Sequence, residues 1–441
     1  MSLIKIPYSV QINNFLLLLL ALFLTISIYI TDVIIVLLFL SWLISGNFQK
    51  KICRIIDNPI IYSTMIFFIY FLIRSLLIGE LGSSTIIQKQ SLILLLPVLY
   101  TLDISKKYVE KAKYFFIIGI GVNICLSLFT FIYPSNSLFK KGHYENNLFA
   151  HGFLDHFDYS IFLCFSILLI IFLSKKSVKS WIYYIVIIIL LIVLLNSYGR
   201  IGILALFIFV PTIFIMSNNF NNKLLSLFGV LIIIFSYYFF PPFQNRVNQT
   251  IANIKLFYSP LSFEDKVEAD AIYLANKDDS LTKEAVINKI LDDENWMTHI
   301  ANKTPRYETS LGKRFIYTKN SFELISKKPF WGYGVGKFQS TYEAFFKTPN
   351  IKHPHNNFIF ICVELGFFGL LLVMYVFFTQ IRAAFNSKKK QLLKLIFPLF
   401  FLFIMFFDNY FLNHNTLTFF CLFSFIIHQA TDKIPINNKL S

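Results

Sequence analysis

The stretch KHPHNN, residues 352–357, stands at the boundary that decides how this chain folds. A long polar segment that begins near Pro241 runs up to it, and an apolar run of membrane-spanning length follows it. Pro354 is expected to break any helix here, because proline has no amide proton and its ring clashes with the preceding turn. The sequence therefore predicts that the imidazole of His355 lies at the mouth of a hydrophobic helix, where water meets the membrane.

The composition of the whole chain is that of an α-helical membrane protein. Of its 441 residues, 56% are hydrophobic and only 15% are charged. Apolar runs of about 18 residues or more recur, and this length can cross the hydrocarbon core of a bilayer as a helix. The five cysteines lie in or beside apolar segments without CxxC spacing, so neither a disulfide framework nor a thiolate metal site is expected.

The fold class predicted is an all-α polytopic membrane protein with about 12 transmembrane helices and one large, mostly helical periplasmic loop. The predicted spans cover residues 13–30, 32–46, 59–78, 86–102, 114–133, 157–173, 181–197, 201–216, 224–240, 357–380, 395–412 and 416–430. Lysine and arginine clusters occupy alternate connections, which is the positive-inside pattern. It explains the net charge of +16 better than nucleic acid binding does, and it predicts that both termini are cytoplasmic. No cleavable signal peptide is expected, because the first apolar run is long and lacks a cleavage site.

Three parts of the chain follow from these spans. Residues 1–240 hold the first nine transmembrane helices, and residues 357–441 hold the last three with a cytoplasmic tail. Between them, residues 241–356 form the one soluble-sized segment, predicted as a helical lid on the periplasmic side. Apolar residues recur at helical spacing over residues 281–298 and 314–326, so a helix is expected in each.

Three cationic or titratable residues, Arg200, Arg314 and His355, are predicted to meet at the outer face. Each has an ordinary interpretation alone: an interfacial anchor, a solvated cation of the lid and an interfacial histidine. Together they indicate more, because a guanidinium matches phosphate oxygens bidentately and keeps its charge. Histidine is the side chain whose ordinary pKa suits a general base near neutral pH. The set predicts a site for a lipid-linked phosphate or pyrophosphate.

Further polar residues fall at outer helix ends and are candidates for substrate contact. Lys89 is expected either to snorkel or to meet a phosphate, and Asp155 and His156 would form a polar wall of the acceptor site. His353 is a local partner for His355. Histidines and aspartates also gather over residues 143–158, but their spacing fits no zinc pattern, so no metal site is expected. Ionisable groups in a span seldom face lipid, so the outer cavity rim is predicted to include Asp408, Asn409 and His414.

Two motifs give the chain a family resemblance. The pair His355-Asn356, followed after nine residues by Gly366 and after two more by Gly369, resembles the signature of the O-antigen ligase and O-antigen polymerase superfamily. The run PFWGYGVGKF, residues 329–338, is similar to that family's Pro-x-x-Gly-x-Gly-x-Gly-x-Phe turn, and its glycines are Gly332, Gly334 and Gly336. Arg314 precedes this turn at the family's spacing. Arg200 is a looser match, because residues 197–200 read Ser-Tyr-Gly-Arg where the family has the order Ser-Arg-Gly.

The glycine-rich run also has to be compared with a phosphate loop. A Walker motif needs Gly-x4-Gly-Lys followed by Ser or Thr, and here Phe338 takes the hydroxyl position. Nucleotide binding is therefore rejected. A tight backbone turn that sets the helix of Arg314 against the helix that follows His355 is expected instead.

The resemblance implies a membrane glycosyltransferase of the bacterial inner membrane, active at the periplasmic face. Its donor would be a glycan linked to undecaprenyl pyrophosphate and its acceptor, in the ligase case, lipid A–core, with membrane lipid as a further partner and no nucleic acid. His355 would be the general base and Arg200 and Arg314 would hold the pyrophosphate, with Asn356 and His353 in contact with substrate. No metal or other cofactor is implied.

Alternatives remain open at this point. An O-antigen polymerase would use the same donor, and a pilin-directed transferase would share the motif. Ligase is favoured because the His-Asn motif follows one large, late loop. A polysaccharide transporter or flippase is a different class, which should show related halves and charges around a midplane site. The division into nine spans and three spans is asymmetric, which argues against it.

Overall fold

The structure is a computed structural model. It describes residues 8–77, 84–132, 154–173, 180–197, 199–217, 282–294, 296–297, 310–347, 351–387 and 392–429, with scattered positions between 223 and 271. Within these ranges the regular elements are helical and no β-strand occurs, which confirms the all-α class there. The predicted span 224–240 and much of the lid lie largely outside the described residues.

The α-helices are numbered in chain order. They are α1 (Tyr8–Phe23), α2 (Ile28–Ile44), α3 (Phe48–Asp57), α4 (Pro59–Leu77), α5 (Ser84–Ser91), α6 (Leu95–Thr101), α7 (Lys106–Ile132), α8 (His156–Leu173), α9 (Ser180–Leu195), α10 (Arg200–Met216), α11 (Lys283–Leu291), α12 (Ser310–Lys327), α13 (Phe338–Phe346), α14 (Asn357–Phe385), α15 (Leu392–Met405) and α16 (His414–Gln429). A 3₁₀ turn, Leu92–Leu94, joins α5 to α6.

Several of these helices have the character of membrane spans. Helices α4 and α14, with most of α7, are long and apolar enough to cross a bilayer, and α2 with α3 would qualify as a pair but is bent by 114°. Shorter apolar helices of 10–17 residues accompany them. The chain is therefore a membrane protein, and the total of 12 spans stays a prediction.

Several predicted boundaries are corrected by the structure. The span predicted at 13–30 ends at Phe23, and α2 begins at Ile28, before the predicted break. The span predicted at 86–102 is interrupted by the 3₁₀ turn, and Pro97 at the start of α6 has no amide proton with which to continue the α5 helix. Helix α7 begins at Lys106, so the lysines expected in the preceding loop are helical.

Two further corrections concern the ends of spans. The connection predicted after residue 46 contains α3, whose apolar residues Phe48, Ile52 and Ile56 share one face. The span predicted at 395–412 ends at Met405, because residues 406–413 form turns. Asp408 and Asn409 therefore lie in a loop and not in a span.

A phenylalanine-rich core holds together the helices that position the site. Helix α16 is buried along nearly its whole length, and it packs against α6, α7, α14 and α15. Phe116, Phe165, Phe397 and Phe423 are joined by ring contacts with centroids 4.7 to 6.4 Å apart. Edge-to-face and offset pairs of this kind contribute about 0.5–1.5 kcal/mol each beyond burial.

Helices α8 and α10 approach each other closely near their N-terminal ends. A Cβ added at Gly202 would lie 2.2 Å from the carbonyl oxygen of Ser160, so only glycine fits. This contact fixes Arg200, the first residue of α10, beside the first turns of α8.

Candidate active site

A cavity of about 590 Å³ lies where the ends of several helices meet. Its wall includes four residues that the sequence predicts for substrate contact or catalysis: Lys89, Asp155, His353 and His355. The remaining polar groups of the wall come mainly from residues 408–413 and from Glu364. The cavity therefore joins the KHPHNN stretch to the α15–α16 connection, which is distant in sequence.

The imidazole of His355 pairs with the carboxylate of Asp408. The distance from Nδ1 of His355 to Oδ2 of Asp408 is 3.2 Å. Donation from Nδ1–H to the carboxylate leaves the lone pair on Nε2, the nitrogen able to take a proton from a substrate. Burial acts to raise the pKa of Asp408, but the hydrogen bond with His355 and the two nearby imidazoles hold this pKa below its usual value. The carboxylate is thus ionised, and it would stabilise an imidazolium.

His353 lies on the other side of the same carboxylate. Its Nδ1 is 3.6 Å from Oδ1 of Asp408, and its ring meets that of His355 edge to face with centroids 4.3 Å apart. Burial lowers the pKa of His353 to about 4, and the positive charges of Arg314 and Lys352 act in the same direction, while Asp408 opposes them. His353 is therefore neutral near neutral pH.

Two asparagines hold the loop that carries Asp408. Asn356 is the N-cap of α14, where its Oδ1 accepts a hydrogen bond from the amide of Ile359 at 3.1 Å and its Nδ2 donates to the carbonyl of Phe406 at 3.2 Å. Asn357 is fully buried, and its Oδ1 accepts from the amide of Phe411 at 2.8 Å. These bonds bracket Asp408 on both sides. The predicted substrate contact of Asn356 stays a prediction, and the geometry gives its side chain a positioning role.

The glycine turn lies directly against a kink in α14. The amide of Tyr333 donates to the carbonyl of Val363, the amide of Gly334 to that of Glu364, and the amide of Phe367 to that of Pro329, each at 2.8 Å. Gly366 interrupts α14 with φ of 70°, and a Cβ there would lie 2.1 Å from the carbonyl oxygen of Phe330. Backbone groups of the turn therefore take the place of the hydrogen-bond partners that a straight helix would provide from its own backbone.

The other motif glycines serve the same contact. Gly332, Gly334 and Gly336 all have positive φ, and a Cβ at Gly332 would lie 2.6 Å from the backbone of Glu364. A Cβ at Gly369 would lie 2.3 Å from the side chain of Leu365 within α14.

Three side chains outside the recognised motifs brace this turn. On α4, the hydroxyl of Tyr70 donates to the carbonyl of Leu365 at 2.8 Å, and Arg74 donates to the carbonyl of Trp331 at 2.7 Å. Glu364 is buried at the cavity wall, where it accepts from the amide of Phe338 at 3.2 Å. The sequence indicated none of these pairings, although an acidic residue near the start of an apolar helix is a signal that could have drawn attention to Glu364.

The two arginines border the site without lining the cavity. The charge of Arg314, on α12, lowers the pKa of both His353 and Arg200, although burial is the larger cause for each. The predicted convergence of Arg200 and Arg314 on His355 stays a prediction. Two neighbouring guanidinium groups repel each other, so they are best accommodated by an anion between them. Their predicted contact with pyrophosphate remains a prediction.

The N-terminus of α8 provides the remaining polar wall. The carboxylate of Asp155 accepts from the amide of Phe157 at 3.1 Å and faces the cavity. The side chain of His156 lies outside the described residues, as does most of the 143–158 cluster. Asp158 is buried, and its carboxylate accepts hydrogen bonds from the side-chain Nδ2 groups of Asn413 and Asn415 at 3.1 and 2.7 Å. It fixes the far end of the loop that holds Asp408.

Residues 185–374 match the family model described as O-antigen ligase. The matched segment begins in α9 and ends in α14, so it includes Arg200, Arg314, His355 and both glycine motifs. None of the curated proteins matches the chain.

Proposed function

We propose that this chain, a member of the O-antigen ligase and O-antigen polymerase superfamily, is an O-antigen ligase. It would transfer a glycan en bloc from undecaprenyl pyrophosphate to a sugar of lipid A–core at the periplasmic face of the inner membrane. The observation that carries the proposal is the His355–Asp408 pair in the wall of a cavity that Lys89 also lines, with Arg314 acting electrostatically on the adjacent His353.

The reaction would be a single displacement. Nε2 of His355 removes the proton from the acceptor hydroxyl as that oxygen attacks the anomeric carbon of the donor. The bond between the anomeric carbon and the pyrophosphate oxygen breaks, and its electron pair leaves with the pyrophosphate. The imidazolium that forms is stabilised by Asp408, which stays ionised.

The cationic residues would stabilise the leaving group. Arg200 and Arg314 would hold the pyrophosphate bidentately, and Lys89 would contribute a point charge from the cavity wall. Since the donor is already activated, neither ATP nor a metal ion is chemically required. Positioned base catalysis contributes about 10²–10⁴-fold, and loss of a preorganised charge-stabilising group costs about 3–4 kcal/mol.

Transfer by the purified protein tests the proposal. With lipid-linked glycan and lipid A–core in nanodiscs, His355→Ala and Arg314→Ala should lose transfer activity while the melting temperature stays close to that of the unsubstituted protein. His414→Gln is the matched control, because His414 also pairs with a carboxylate, that of Asp32 at 2.6 Å, but lies outside the cavity wall. Undiminished transfer by His355→Ala would rule out the base assignment, and a chain that only moves lipid-linked glycan across the bilayer would be a transporter.

A deletion strain separates ligase from polymerase. Bare core with accumulated lipid-linked polymer identifies a ligase. Core capped by a single repeat identifies a polymerase.

A further inference from the structure

His353, His355 and Asp408 form a cluster with the ligand types and the spacing of a transition-metal site. One ligand atom from each lies within 4.8 Å of the others, and no other grouping of three such residues occurs among the described residues. The two histidines come from the His-Pro-His run, where the positive φ of His355, 54°, brings the two rings side by side. Asp408 reaches them from the α15–α16 loop, so the cluster closes only in the folded protein.

Each imidazole lies at about the distance from the carboxylate that two ligands of one tetrahedral ion have. Zinc bonds to imidazole nitrogen and carboxylate oxygen are about 2.0–2.2 Å long, which separates neighbouring ligand atoms by about 3.3–3.6 Å. Oδ1 of Asp408 lies 3.6 Å from Nδ1 of His353, and Oδ2 lies 3.2 Å from Nδ1 of His355, so each carboxylate oxygen faces one imidazole.

The ligand chemistry also favours an ion. Nδ1 of His353 is buried and makes no hydrogen bond, although a buried ring nitrogen ordinarily has a partner. Two imidazoles and one carboxylate suit Zn²⁺ and its neighbours in the first transition row, and a fourth coordination position would face the cavity.

We propose that His353, His355 and Asp408 bind a divalent transition-metal ion, Zn²⁺ or a close relative, and that the bound ion inhibits the enzyme. The inhibition rests on the proposed function, whereas the binding does not. A neutral imidazole carries one ring proton. A metal bond at Nδ1 of His355 displaces that proton, which then resides on Nε2, so Nε2 has no lone pair left for the acceptor hydroxyl. The bound ion would thus prevent His355 from accepting the proton, and it would take no part in the reaction itself.

Metal binding is tested on the full-length protein in nanodiscs after chelator treatment. Titration of Zn²⁺ against a chromophoric chelator should give one equivalent per chain, and Co²⁺ should give the visible absorption bands of a four-coordinate site. His353→Gln should weaken Zn²⁺ affinity by at least about 100-fold, because even outer partners of metal ligands are worth about 10–100-fold. His414→Gln should bind as the unsubstituted protein does, since the His414–Asp32 pair lacks a second histidine.

Two outcomes would overturn the site: no stoichiometric binding, or equal affinity in His353→Gln. Asp408→Asn provides a second variant if His353→Gln fails to fold, as judged by thermal melting. The inhibition is measured separately, as loss of transfer at saturating Zn²⁺ and recovery after chelation. Binding with unchanged or increased transfer would reject the inhibition alone. Absence of transfer in chelator-treated protein would count against the proposed function and leave the binding result intact.

Discussion

His355 occupies a left-handed backbone conformation, with φ of 54°, which is uncommon for a residue other than glycine. Such a conformation costs about 1–3 kcal/mol and persists only where the surroundings impose it. Here Pro354 precedes it, and Asn356 and Asn357 follow with hydrogen bonds to the Asp408 loop. The strain is therefore coupled to the contact that orients the imidazole.

Replacement of Asp408 by Asn tests this orientation. An amide has nearly the shape of the carboxylate, but it cannot stabilise an imidazolium, and its NH₂ group can select the wrong tautomer of His355. We expect transfer to fall by about 10²-fold or more, up to the whole contribution of base catalysis. The double variant with His355→Gln should be no less active than His355→Gln alone, because the two residues act as one unit. Kinetics of the three variants under identical donor and acceptor concentrations provide the measurement.

Asp32→Asn is the matched control for that series. Asp32 pairs with His414 at 2.6 Å, the same chemistry as the His355–Asp408 pair, but neither residue lines the cavity. Transfer should stay within a few-fold of the unsubstituted rate. Equal losses in Asp408→Asn and Asp32→Asn would mean that Asp408 acts through stability and not on the base.

At the scale of elements, the kink of α14 and the glycine turn form one unit. Gly366→Ala would place a Cβ 2.1 Å from the carbonyl oxygen of Phe330 in a conformation with positive φ. The turn and the helix must then separate, so we expect destabilisation on the order of 3 kcal/mol and a matching loss of transfer. Thermal melting in nanodiscs measures the first effect.

Gly121→Ala supplies the comparison within a long apolar helix. A Cβ at Gly121, in α7, would meet nothing within 4 Å, and alanine favours helix over glycine by about 1 kcal/mol. Its melting temperature should be unchanged or slightly higher. If the melting temperature of Gly366→Ala equals that of Gly121→Ala, the glycine turn does not depend on the close approach of the two backbones.

The same elements show what the sequence could and could not predict. Asn356 after a proline break predicts the start of α14, because capping is local and depends on a few adjacent residues. The glycine spacing predicts a tight turn for the same reason. The sequence predicts Asp408 at the cavity rim because an ionisable group in a span seldom faces lipid, and it does line the cavity. Its pairing with His355, 53 residues away, could not be predicted, because no local signal joins the two residues. The bracing of the turn by Tyr70 and Arg74 depends on the packing of α4 against α14, which a single sequence does not encode in any short motif.

At the scale of the whole molecule, the predicted orientation of the chain in the membrane depends on its lysine- and arginine-rich connections and on α3. This helix follows α2 after a bend of 114°, and its apolar residues Phe48, Ile52 and Ile56 are 47%, 55% and 60% exposed. Lys50, Lys51 and Arg54 are among its other residues. A helix of this kind lies in the headgroup region, where its basic residues favour the cytoplasmic leaflet.

Cys53 makes this orientation measurable, because it lies on α3 and is exposed. In a chain with the other four cysteines replaced by alanine, a membrane-impermeant maleimide should label Cys53 only after the membrane is disrupted. Lys347→Cys, at the exposed end of α13 in the predicted periplasmic lid, should be labelled in intact spheroplasts in a chain that also lacks Cys53. Both results follow if the lysine-rich connections face the cytoplasm and the cavity faces the periplasm. Labelling of Cys53 in intact spheroplasts would invert the predicted topology, and it would place His355 on the side where no periplasmic acceptor is found.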